Sequence, residues 1–174
     1  MTIAGFRLNT VISFVLLLFM VSLGACNEES EPPKWKTVVV KEQTKLPEWL
    51  TIKDRVDPAV WLRSREVGHE VLPTDPEVDR LRRALGQART RFVEDERMIA
   101  NRTAQTSDML AEARQPERVV DTMTGLIDVA DTTPNRKLYG DMCQQYLNMR
   151  KSGADRTEAL QRLTESYKDQ DDLR

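Results

Sequence analysis

Catalysis needs reactive groups that converge, and this chain offers few to bring together. His69, within "GHE", is the one histidine. That excludes a two-histidine zinc motif, and its loop position reads as solvated rather than as a general base. Glu94-Asp95-Glu96 places three carboxylates in a row. Consecutive positions diverge around a helix, so the run reads as a charged, solvated face. There is no G-x-S-x-G turn, phosphate-binding loop, C-x-x-C pair or haem-attachment motif. Arg80, Arg82, Arg83, Arg89 and Arg91 form a dense group of cations suited to anionic lipid headgroups or an acidic partner. Glu77 and Asp79 stand at helical spacing from several of them, which makes surface pairing the simpler reading. No catalytic, cofactor-binding or metal-ligating residue is assigned, and the chain is expected not to be an enzyme.

The two cysteines say more about address than about chemistry. Cys26 ends the only strongly apolar run, "VISFVLLLFMVSLGAC", and is followed at once by "NEESEPPK". The run from Val11 to Ala25 holds 15 residues, short of the roughly 20 that a permanent membrane helix needs, so a cleaved leader is expected. Leu23-Gly24-Ala25-Cys26 resembles the lipobox of bacterial lipoproteins. That resemblance implies a diacylglyceryl group on the Cys26 thiol, cleavage before it, and acylation of the new amino terminus. Each buried methylene contributes about 0.8 kcal/mol, so several chains hold a protein on a membrane where one holds it marginally. Asn27 is not the aspartate that the resemblance associates with inner-membrane retention, which points to the periplasmic face of the outer membrane. A lipidated Cys26 has no free thiol, so Cys143 has no cysteine partner and reads as a small apolar core residue.

The remaining elements must come from composition and periodicity. Aromatic residues make up 6% and charged residues 31% of the chain, which favours a helical domain laced with ion pairs over a sheet. Lys and Arg number 26 against 28 Asp and Glu. A nucleic-acid partner is therefore not expected, since phosphate binders carry a basic excess.

The expected fold is all-α, a small bundle of four or five helices behind a flexible tether and an extended Trp- and Pro-containing segment. Residues 1–25 form the leader, 26–45 the lipidated terminus and tether, 46–72 a Trp-containing segment with a short helix, 73–168 the helical domain, and 169–174 a charged tail expected to fray. "TVVV", Thr37 to Val40, is a short extended candidate. Asp57-Pro58 and Asp75-Pro76 (or Thr74) pair a capping side chain with proline at the first helical position. Apolar residues from Val78 through Leu85, Phe92 and Ile99 to Met109 predict one helix over about 76–113, interrupted, if anywhere, near Asn101. Gln115-Pro116 and Thr133-Pro134 open two more helices, Gly153 closes the second of these, and Asp155 or Thr157 caps the last. Asn101-Arg102-Thr103 matches a glycosylation sequon by chance.

All three tryptophans, Trp35, Trp49 and Trp61, lie before residue 62. They read as a lid over the core or as contacts for a partner. With no reactive constellation, the expected function is a non-catalytic structural or assembly accessory of an envelope complex, in the manner of a pilotin or a secretion or conjugation component. One alternative is an accessory lipoprotein of a periplasmic metabolic or redox system. The other is a small-ligand carrier with Met109, Met123, Met142 and Met149 lining a cavity. Replacing Cys26 with serine is expected to leave an uncut precursor that no longer partitions into the detergent phase; normal processing of that variant would refute the lipobox reading.

Overall fold

The computed structural model describes residues 46–173. Cys26, Trp35 and the extended candidate at Thr37 to Val40 lie outside them. The described chain forms six helices, α1 Pro58–Val67, α2 Pro76–Arg91, α3 Glu96–Glu112, α4 Val119–Asp131, α5 Tyr139–Lys151 and α6 Arg156–Asp172. They make the all-α bundle that the periodicity predicts, with one helix more than the count of four or five.

The extra helix comes from a break that the seam does not announce. The chain leaves the helical path after Arg91, well before Asn101. Phe92 turns extended, with φ −114° and ψ 159°. Its buried ring meets Tyr139 edge-on, centroids 4.8 Å apart. The Val93 N–H donates to the Lys137 carbonyl at 3.0 Å, and the Lys137 N–H donates to that of Arg91 at 3.2 Å. Asp95 then caps α3 by accepting from the Met98 N–H at 2.8 Å. A cap of this kind contributes about 1 kcal/mol. The acidic run is thus more than a solvated face: Asp95, itself exposed, starts a helix, and the Glu94 carboxylate accepts from the Tyr139 and Gly140 N–H groups, each at 2.9 Å.

The same contact moves the start of α5. Thr133-Pro134 was expected to open it, but residues through Lys137 run against the α2–α3 elbow and the helix begins at Tyr139. Its first amides need an acceptor, and Glu94 supplies one from another helix. α4 also lacks a capping side chain of its own. There the Val119 N–H donates to Glu66, at the end of α1, at 3.0 Å. The remaining helices begin as their sequences predict, with Asp57, Asp75 and Asp155 accepting from the Ala59, Glu77 and Glu158 N–H groups. Gly153 closes α5 at φ +99°, a conformation that costs a side-chain-bearing residue about 1 kcal/mol or more.

The core is aliphatic with a few aromatics, built around Trp61, Leu81, Ile99, Leu110, Met123 and Leu126. α6 runs through residue 169, where the charged tail was expected to begin, to Asp172. Lys137 Nζ reaches Asp171 at 2.5 Å, and about nine tenths of both side chains are shielded from solvent.

The segment before α1 is held down by side chains. Leu50 is buried, and Asn101 closes a ring with its backbone. The Leu50 N–H donates to Asn101 Oδ1 and Asn101 Nδ2 donates to the Leu50 carbonyl, both at 2.9 Å. Trp61 Nε1 donates to the Pro47 carbonyl at 2.8 Å, and Arg65 to that of Glu48 at 2.5 Å. Asn101, where the predicted long helix was expected to be interrupted, instead lies inside α3 with both amide atoms of its side chain engaged. Asn101→Ala leaves the Leu50 N–H buried without an acceptor, which costs about 1–3 kcal/mol. Thermal unfolding of that variant is expected to come several degrees earlier, with increased proteolysis between residues 46 and 57.

Candidate functional site

The three tryptophans have different fates. Trp61 sits in α1 with no exposed surface, so it is a core residue and offers nothing to a partner. Trp49 is 41% exposed. Trp35 lies outside the described residues. Chain position does not separate Trp49 from Trp61. The helical register does, because Trp61 falls on the inward stripe of α1 with Leu62 and Ala59.

Trp49 borders a groove of about 260 Å³ between the pre-α1 segment and α3. Ala104 and Met109 contribute apolar lining, and Glu48, Arg65, Asp108 and Glu112 contribute charge. The Arg65 guanidinium pairs with Asp108 at 2.7 Å and lies 5.3 Å from the Trp61 ring centroid. Arg102 stands 5.9 Å from the Trp49 centroid, within range of an aromatic–cation attraction. Ile52 and Val56, on the same segment, are also exposed, Ile52 at 85%. Three large apolar side chains thus face solvent within eight residues, on backbone fixed at Glu48 and Leu50. The groove is not legible in the sequence, because its two walls are some 50 positions apart.

The other candidates resolve into structure. Met123 and Met142 are fully buried among core residues, while Met109 and Met149 are partly exposed at the core's margin, so the four do not line one cavity. Cys143 is buried, and burial pushes its thiol up to about 12. His69 is exposed, with Nδ1 3.2 Å from the Val67 carbonyl. The arginines of α2 divide. Arg80 pairs with Glu77, Arg82 with Asp79 and Asp57, and Arg91 with Asp131, while Arg83 and Arg89 of this helix have no ion pair with a described residue. No group of three or more potential metal ligands converges among the described residues. No helix among them is long and apolar enough to cross a membrane.

One polar cluster was missed. Glu117, in the α3–α4 connection, accepts from Tyr146 Oη at 2.7 and 2.9 Å and from Thr122 Oγ1 at 3.1 Å. Arg150 Nη2 lies 3.0 Å from it, and about nine tenths of both side chains are buried. Burial, and then the adjacent Glu117, raise the Tyr146 hydroxyl above its ordinary value, so it remains a neutral donor. The donors around this carboxylate come from the protein itself, and the arrangement joins the connection to α5 rather than opening to a substrate.

The burial of Cys143 has a direct readout. In the Cys26→Ser chain, where it is the single thiol, Cys143 is expected to resist an aromatic disulfide reagent at pH 8 and to react fully on unfolding; rapid reaction of the native protein would contradict the buried placement.

Comparison with known proteins gives one finding. The family model MoxZ matches residues 59–168, well over half of the chain, from the first turn of α1 to near the end of α6. No curated protein and no solved structure matches.

Proposed function

The chain belongs to the MoxZ family, and on that premise we propose that it is a non-catalytic accessory protein of a periplasmic metabolic system, acting by binding a protein partner. The system we propose is that of methanol dehydrogenase, with which the family is associated. The family match is the observation that carries this reading. It favours the metabolic accessory over a pilotin-like secretion or conjugation component, for which no comparable observation speaks. The lipobox-like Leu23-Gly24-Ala25-Cys26 at the end of the leader supports attachment to a membrane through lipid on the periplasmic side. The pre-organised apolar segment at Trp49 supports binding over chemistry, since aromatic side chains on fixed backbone are the common anchors of protein interfaces.

A strain lacking this chain is expected to lose most of its methanol-dependent oxygen uptake, with recovery when the wild-type chain is supplied. Mild detergent extracts should yield methanol dehydrogenase subunits or their electron acceptor bound to the tagged protein. Full uptake in the deletion strain would overturn the reading.

A further inference from the structure

The chemistry of the Trp49 groove narrows the kind of partner it fits, on the reading that this protein works by binding another. We propose that the groove seats a basic, amphipathic segment of the partner protein, with an apolar side chain against Trp49 and Met109 and lysine or arginine cations on Glu48 and Glu112.

Charge carries the first part of the argument. The lining holds three carboxylates, Glu48, Asp108 and Glu112, and one guanidinium, Arg65. Arg65 is already paired with Asp108. Glu48 and Glu112 have no cation partner among the described residues, while Arg102, over Trp49 and hydrogen-bonded to the neutral Gln105, stands at the groove's edge; the unmatched charges of the lining itself are both negative and outnumber that cation. An acidic segment would meet them unfavourably, and like-charge contacts are a common means of rejecting a wrong partner.

Shape and rigidity carry the second. At about 260 Å³ the groove falls below the roughly 300–1,000 Å³ of small-molecule and cofactor sites, and it suits one or two side chains. The backbone on either side of Trp49 is fixed, through the Glu48 carbonyl to Arg65 and through Leu50 to Asn101. Little ordering is left for binding to supply. Exposed Ile52 carries apolar surface beyond the groove, as an amphipathic segment longer than one side chain requires.

The test uses the full-length chain in mild detergent and two fluorescein-labelled synthetic peptides, an amphipathic leucine–lysine helix and its counterpart with glutamate at every lysine. The lysine peptide is expected to bind with an affinity that falls as salt rises, and the glutamate peptide not to bind. The Glu48→Gln/Glu112→Gln chain should bind the lysine peptide about tenfold more weakly, and Trp49→Ala should do the same with an unchanged melting temperature. Equal binding of both peptides, binding of neither, or indifference to these substitutions would overturn the proposal. So would a dimer that Trp49→Ala dissolves, since the occupant would then be a second copy of this chain. If the peptides fail while the deletion strain still loses methanol oxidation, the groove assignment falls and the accessory role stands.

Discussion

The fold turns on the four residues between α2 and α3. Phe92 places its ring against Tyr139, Val93 trades backbone hydrogen bonds with Lys137, Glu94 accepts the first amides of α5, and Asp95 starts α3. Each contact fixes another element. Lys137, held here by its backbone, sends its ammonium to Asp171 and so anchors the end of α6. With Cys143 the one free thiol among the described residues, no covalent link ties the two halves of the bundle together. The elbow and the core do this instead, through one aromatic contact and a set of directed hydrogen bonds.

The helices themselves were largely legible, because local rules govern them. Aspartate followed by proline placed the starts of α1 and α2, and a glycine, Gly153, placed the end of α5. What misled was a pattern true in both descriptions. Phe92 fits the apolar seam of a continuous helix, and it also fits a buried extended residue; only its partner at Tyr139 decides between them. The delayed start of α5 has the same cause, since the acceptor for its first amides lies 45 residues upstream. Local propensity contains no record of a cap supplied by another helix. Asn101 shows the converse: expected as the point of interruption, it lies within α3, and its partner Leu50, 51 residues upstream, was out of reach of any periodicity argument.

The candidate surface follows the same division. That tryptophans cluster early was readable. Which tryptophan faces solvent was decided by packing, with Trp61 turned inward and Trp49 out. The groove beside Trp49 exists because Asn101 and Arg65 hold the preceding segment across α3, so the residues that shape this surface are themselves partly or wholly buried. Glu117 and Arg150 illustrate why such groups persist in an interior. A buried ion pair contributes little net stability over a well-packed apolar replacement, but a misfolded arrangement that separates the pair leaves a charge uncompensated in a low dielectric.

The elbow also sets an order on events in time. Its hydrogen bonds join residues 45 positions apart, so α3 and α4 lie inside a loop that must close before the contact forms. The chain entropy of that closure is about 3 kcal/mol, growing only with the logarithm of loop length. Helices complete their own turns in microseconds or less, and every helix of this bundle can flicker into existence before the loop shuts. Phe92 and Tyr139 must therefore find each other across a chain whose turns are already forming, so this contact is one that local structure prepares and cannot itself supply.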